Sequence, residues 1–176
     1  MPIYGNLGMG LLFVGAVLIL NGLHLVGIGD NRDISVFNFL TGGITLLITL
    51  WWAFGGAASV GGAFDAAGTL LFSFTYLWVG ANTIRDISDE RSFGWYCGFV
   101  AVVAAPTGYL VWQGGDIGLA LLWWLWALLW DAFFLLSALE LDNLVRPVAG
   151  YTVFVGILTG AAGYMMSAGF WPWIPT

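Results

Sequence analysis

The stretch at residues 117–139, IGLALLWWLWALLWDAFFLLSAL, carries one ionisable side chain, Asp131, among apolar and aromatic residues. A helix needs about 20 mainly apolar residues to cross the roughly 30 Å hydrocarbon layer of a bilayer. The stretch is long enough and apolar enough for this. We therefore predict a transmembrane helix over its whole length.

Five more apolar stretches use up most of the remaining chain, at residues 7–26, 34–54, 63–83, 94–112 and 148–170. The composition agrees, with 60% hydrophobic and 8% charged residues and a mean hydropathy of +0.92. The sequence predicts an all-α integral membrane protein that forms one domain over residues 1–176. Its six transmembrane helices are expected to form a bundle of three hairpins. The short turns between them leave no room for a separate catalytic domain.

The four cationic residues are all arginines and lie in the first, third and fifth gaps between these segments, at Arg32, Arg85, Arg91 and Arg146. Loops that collect Lys and Arg stay in the cytoplasm, because positive charge resists translocation. Several carboxylates share the same gaps, but they count little in this rule. We predict that the odd-numbered loops are inside and that both termini are outside.

The composition also argues against several functions. There is no basic surface for nucleic acid, and the single Cys97, which cannot form an intrachain disulfide, is expected to be a packing residue. The predicted spans contain no His/Asp/Glu cluster suited to metal binding or acid–base catalysis. We expect neither an enzyme, a metal nor a cofactor. Residues 1–6 lack the positive charge of a signal peptide, so the first segment is expected to remain in the mature protein.

The fifth segment carries an aromatic stripe. At about 100° per residue, Trp123, Trp126 and Trp130 share one face in the middle of the span, too deep for interfacial anchors. Packing alone is one interpretation. The other is a solute path, because each indole N–H needs an acceptor and the same helix offers none nearby.

Two other segments present matching faces. The third carries Phe74, Trp78 and Asn82 at one-turn intervals, and the first carries Leu11 and Leu18 with Asn21 nearby. Aromatic planes, leucines and a few amides suit a flat, neutral, hydrogen-bonding solute. An ion would lose its hydration without compensation in such a slot.

Glycine spacing predicts close helix contacts in the last segment. Gly156 and Gly160 form a small-xxx-small pair, and Gly163 follows one turn later. Such positions allow two membrane helices to bring their backbones together.

Several motifs in combination are shared with a known family. They are Leu11-Leu12-Phe13-Val14-Gly15 with Leu18 and Asn21, the run from Leu70 to Trp78 with Asn82, and the three tryptophans of the stripe. With them the chain resembles the urea and short-chain amide channels of the AmiS/UreI family over nearly its full length. The resemblance implies a homo-hexamer in the bacterial cytoplasmic membrane, with a pore inside each protomer. It implies pore-lining roles for Leu11, Leu18, Phe74, Trp78, Trp123, Trp126, Leu129 and Trp130.

Three departures from the urea branch favour the amide branch: Trp78 replaces a tyrosine, Leu119 a tryptophan and Val155 a glutamate. The urea branch is acid-gated through a histidine-rich outer loop, whereas the second loop here, near residues 55–62, has no ionisable group before Asp65. The resemblance also implies a link to a cytoplasmic amidase or urease. We expect a passive channel for acetamide-like amides, urea or both, without acid gating.

Asp131 is the one acid inside a predicted span, where ionisable residues are functional by default. It points about 100° away from Trp130, so a structural contact, a vestibule role and proton coupling all stay open. Proton coupling would make the protein a proton-coupled solute transporter. A stripe that only packs would make it a non-conducting structural or sensor subunit. His24, at the inner end of the first helix, is expected to be a boundary residue.

Overall fold

The structure, a computed structural model, describes residues 2–55 and 62–173. Its regular structure within these ranges is helical, as predicted, with six long α-helices. They are α1 (Pro2–Leu25), α2 (Asn31–Phe54), α3 (Ala63–Ile84), α4 (Arg91–Gln113), α5 (Ile117–Phe133) and α6 (Val145–Ser167). The central residues of the second loop, 56–61, lie outside the described residues.

Five of these helices are long and apolar enough to cross a membrane in the described part of the chain. The spans are Tyr4–Leu25, Asn31–Phe54, Arg91–Gln113, Ile117–Ala138 and Asp142–Ser167. The sequence predicts six, and α3 is the helix that is missing from this set. Its polar residues include Asp65, Ser73, Thr75 and Asn82.

Each helix contacts the next along the chain, and α6 returns to α1, so the six helices close a ring. The most extensive contacts join α1 to α6, α2 to α3, and α4 to α5. Two of these pairs are hairpins of consecutive helices. The third joins the two ends of the chain, so the close pairing differs from three successive hairpins.

The α1–α6 contact depends on glycine, as the sequence predicts. A Cβ on Gly15 would collide with the backbone of Gly160, and one on Gly163 would collide with the backbone of Leu12. On the other side of the seam, a Cβ on Gly156 would lie 2.9 Å from the carbonyl oxygen of Gly15. The two backbones therefore pack with almost nothing between them.

A π-helix at Phe134–Ala138 continues α5, where the sequence predicts one uninterrupted α-helix to residue 139. The wider turn fits because α4 has glycine opposite it. A Cβ on Gly94 would collide with Ala138, and one on Gly98 would lie 2.9 Å from the ring of Phe134. Such segments in α-helices occur frequently at functional sites.

The two ends of the bundle differ in their hydrogen bonds and charged residues. At one end Asn31 Nδ2 donates to Asp86 Oδ1 at 2.6 Å, and Arg91 Nε lies 3.9 Å from Glu140 Oε1. The first, third and fifth loops thus lie together, and we call this the arginine end. At the other end Asp116, between α4 and α5, bonds the start of α1 and the segment after α6. We call this the Asp116 end.

Candidate functional site

The described part of the chain encloses two cavities that lie between the helices, one toward each end of the bundle. The Asp116-side cavity has a volume of about 440 Å³, and its walls include Tyr4, Leu11, Thr45, Asp65, Asp116 and Trp123. The arginine-side cavity has a volume of about 450 Å³, and its walls include Leu18, Asn21, Thr75, Asn82, Glu90, Leu129 and Trp130.

The cavities share two described lining residues, Phe72 of α3 and Trp126 of α5. The ring centroids of this pair are 4.8 Å apart, with the planes at 82°. Phe72 also lies 4.8 Å from the ring of Trp130 and 5.9 Å from that of Trp123. We call this group of four rings the aromatic constriction. It divides the two cavities in the middle of the bundle.

Two of the three indoles of the stripe have acceptors inside the bundle, so they need no solute to accept from them. Trp126 Nε1 donates to Thr159 Oγ1 at 3.0 Å, and Trp130 Nε1 donates to Thr75 Oγ1 at 3.2 Å. Both acceptors lie on other helices, α6 and α3, so a search along α5 cannot find them. Among the described residues, Trp123 is the member of the stripe whose N–H has no such partner.

Most of the residues predicted to line a pore lie on the cavity walls. Leu11 and Trp123 face the Asp116-side cavity, and Leu18, Leu129 and Trp130 face the arginine-side cavity. The two predicted amides also face the arginine-side cavity. Asn21 exchanges two hydrogen bonds with Asn38, at 3.0 and 2.7 Å, and Asn82 Nδ2 donates to Glu90 Oε1 at 3.2 Å.

Phe74 and Trp78 lie elsewhere, which corrects the face assigned to the third helix. Phe74 is 48% exposed, and Trp78 is 37% exposed and stacked on Tyr96 at 5.6 Å. Neither is among the described residues of the cavity walls. The inward face of α3 is set by Phe72, Thr75 and Val79, at helical spacings of three and four. The signal was present, because Thr75 and Asn82 are polar residues two turns apart on this face.

Asp131 is exposed on the surface of the bundle and is not part of either described cavity wall. This agrees with its predicted turn away from Trp130. Proton coupling through Asp131 would require it to lie on the solute path, and its place outside the described cavity walls does not support that role.

The sequence analysis gave Asp116 no role in holding the bundle together. Asp116 is 3% exposed and accepts hydrogen bonds from Tyr4 Oη, Trp171 Nε1 and the Leu119 amide, at 2.9, 2.9 and 2.8 Å. The available signal was its position, since an Asp directly before an apolar run is a preferred helix cap.

The carboxylate at the other end, Glu90, was also missed. It precedes α4 and lines the arginine-side cavity beside Asp86. Burial raises the pKa of Glu90, and the hydrogen bond from Asn82 opposes this shift. His24 lines the same cavity, and its Nδ1 is buried without a hydrogen-bond partner among the described residues.

A sequence model of the AmiS/UreI family of transporters matches residues 6–169. An amidate substrates transporter protein of Mycolicibacterium smegmatis is 38% identical over 168 residues, covering 93% of this chain and 78% of that protein. The acid-activated urea channel of Helicobacter pylori is 29% identical over 184 residues, covering 88% of this chain and 91% of that channel.

Solved structures agree with this. The crystal structure of the Helicobacter pylori urea channel matches with a TM-score of 0.80 and 27% identity, covering 94% of this chain and 99% of that one. A closed state of that channel, from electron cryo-microscopy, matches with a TM-score of 0.79 and 26% identity. The fold is that of a multi-pass membrane transporter. The chain belongs to the AmiS/UreI family, whose matched members are transporters and channels and not enzymes.

Proposed function

We propose that the protein is a passive channel for small neutral amides, with the path running through each six-helix protomer. The observation that carries this proposal is the sharing of Phe72 and Trp126 by both cavities. Two chambers that meet at one pair of rings would form a continuous route through the described residues, with the aromatic constriction between them. A channel of this kind has its filter in the middle of the membrane.

The chemistry of the constriction favours neutral solutes. Its four described members are Phe72, Trp123, Trp126 and Trp130, which offer ring faces and no charge. A charged group there would cost several kcal/mol or more, because nothing replaces its hydration shell. A flat amide can instead slide between aromatic faces. The names of two related proteins, an amidate substrates transporter and a urea channel, refer to solutes of this type. This supports the same class of solute for this chain.

Carboxylates on the walls of both cavities provide a second basis for selecting among solutes. Asp65 and Asp116 line the Asp116-side cavity, and Asp86 and Glu90 line the arginine-side cavity. Acidic side chains on both cavity walls offer an anion no favourable partner, so the path favours the neutral amide over the anion formed when the amide is hydrolysed. This fits a partnership with a cytoplasmic amidase, in which the neutral amide enters and the product anion stays inside.

In the proposed orientation the arginine end faces the cytoplasm and both termini face outward, in the bacterial cytoplasmic membrane. We propose that the protein forms a homo-hexamer, as its resemblance to the family implies. The exposed Asp131 supports it, because a carboxylate on a spanning helix is costly against lipid and needs cover from a neighbouring subunit. We also propose that the channel is not acid-gated, since His24 is the single histidine and lies at the arginine end.

A proton-coupled transporter is the second candidate, and the buried carboxylate of Asp116 on a cavity wall favours it. A carrier of this kind would need its acid to exchange protons during each cycle. Asp116 instead accepts three hydrogen bonds that tie α1, α5 and the segment after α6 together. A carboxylate with these three bonds is better suited to holding the helices together than to exchanging a proton in each transport cycle.

The proposal is tested with purified protein in liposomes, by following acetamide, urea and acetate entry. We expect acetamide or urea to enter faster than in protein-free liposomes, and acetate to enter no faster. A protein that conducts neither amide would be a structural or sensor subunit. Equal acceleration of acetate would contradict a filter that admits only neutral solutes.

A further inference from the structure

Two threonine hydroxyls hold the indoles that flank Phe72. Thr159 on α6 accepts from Trp126 Nε1 at 3.0 Å, and Thr75 on α3 accepts from Trp130 Nε1 at 3.2 Å. Thr159 is 0% exposed and Thr75 is 9% exposed, so both acceptors are buried in the bundle. The side-chain torsion that turns an indole about its ring bond has broad wells. Packing and these two hydrogen bonds therefore decide the ring planes.

The ring planes decide the width of the path. Phe72 lies 4.8 Å from the ring centroids of both Trp126 and Trp130, with interplanar angles of 82° and 57°. An indole that rotates about its bond to Cβ turns either its broad face or its thin edge toward Phe72. The gap beside Phe72 therefore has a constant width only while each indole keeps the same orientation.

We propose that Thr159 and Thr75 are positioning residues that set the solute-size limit of this path. By fixing two indole planes, they make the aromatic constriction a slot of constant width. The slot admits flat, unbranched primary amides such as acetamide, and it excludes amides branched next to the carbonyl. The inference rests on the proposed function, because it assumes that solutes pass the constriction.

Thr159 gives the cleaner test of the two threonines. It lies behind Trp126 and is not among the described residues that line either cavity, whereas Thr75 faces the arginine-side cavity. A change at Thr159 reaches the solute only through Trp126. Valine has nearly the shape of threonine, so Thr159→Val removes the acceptor and leaves the packing volume in place.

The experiment compares the permeability of acetamide with that of isobutyramide in liposomes that contain equal amounts of assembled protein. The net contribution of one hydrogen bond changes the population of the conformation that it stabilises by about fivefold. We expect Thr159→Val to lower the acetamide-to-isobutyramide ratio about fivefold. Thr159→Ser keeps the hydroxyl and should keep the ratio of the wild type.

Thr49→Val is the matched control. Thr49 is 1% exposed and donates to the carbonyl oxygen of Thr45 at 2.9 Å within α2. It is outside the described walls of both cavities. The ratio should not change in this variant, although a buried threonine hydroxyl is lost in the same way. Thr75→Val, on a different helix, provides a second test if Thr159→Val does not assemble.

A direct measurement of the bond separates the possible outcomes. In protein labelled with ¹⁵N-tryptophan, the Trp126 indole N–H, assigned with Trp126→Phe, should exchange slowly in the wild type and faster in Thr159→Val. Faster exchange with an unchanged permeability ratio would overturn the size limit and leave the proposed function standing. Wild-type liposomes that conduct no acetamide would overturn the proposed function itself, and the size limit with it.

Discussion

Trp124 and Trp126 are two residues apart, yet they face different surroundings. The indole of Trp126 bonds to Thr159, packs edge-on to Phe72 and lines both cavities. Trp124 donates to the carbonyl oxygen of Ala105 at 3.2 Å and lies outside the described cavity walls. The two residues therefore form a matched pair for separating conduction from packing.

Trp126→Ala and Trp130→Ala should change amide permeation, because each removes a ring from the aromatic constriction and widens the gap. We expect weaker discrimination between small and large amides per assembled protomer. Trp124→Ala should leave permeation nearly unchanged. Trp126→Ala and Trp130→Ala should also lower stability, since a buried Trp→Ala in a soluble core commonly costs about 3–5 kcal/mol. The measurement is flux in liposomes, normalised to assembled protein. Equal flux for the three variants would remove the pore role of the stripe.

Glu90 makes stability depend on pH. Burial raises its pKa, so the folded protein binds this proton more tightly than the unfolded chain does. Stability is therefore lost as pH rises from the ordinary pKa of 4.5 through the raised value. Glu90→Gln keeps an acceptor for Asn82 and cannot ionise.

We expect Glu90→Gln to unfold at a higher temperature than the wild type at pH 7, and to show no gain in stability at pH 4. Thermal unfolding in detergent at the two pH values checks this. A gain of the same size at both values would mean that ionisation of Glu90 is not the cause.

At the scale of helices, the α1–α6 seam should be the most sensitive contact in the ring. Gly15→Ala should destabilise the protein by about 1–3 kcal/mol, because the new methyl group meets the backbone of Gly160 and neither helix can yield locally. Gly5, on the same helix, has open space where a Cβ would be, so Gly5→Ala should be neutral or slightly stabilising. Thermal stability in detergent compares the two. Equal effects would show that backbone contact does not limit the seam.

The helices also show what a single sequence can predict. The stripe on α5 was found because three large aromatics repeat on one face with little competition from other features. The face of α3 was misassigned because Phe72 and Phe74 are equally aromatic. Only packing against α5 decides that Phe72 turns inward. Acceptors such as Thr159 belong to another helix, so spacing along one helix cannot reveal them.

At the scale of the whole molecule, the chain places its arginine loops at one end and both described ends of the chain at the other. We expect both termini to face outward, because the positive charges hold the arginine end in the cytoplasm. A reporter that is active only outside the cytoplasm should be active when fused to the C-terminus. Activity of a cytoplasm-only reporter at that position would reverse the orientation.

The central claim is passive movement of a neutral amide through the protomer, and acetamide uptake with and without a pH gradient tests it most directly. Purified protein in liposomes should carry acetamide down its concentration gradient, at rates that change little between about pH 5 and pH 7.5, since no histidine lies in an outer loop. An imposed proton gradient should not drive accumulation. Uptake that requires an inward proton gradient, or that switches on steeply in acid, would contradict the account.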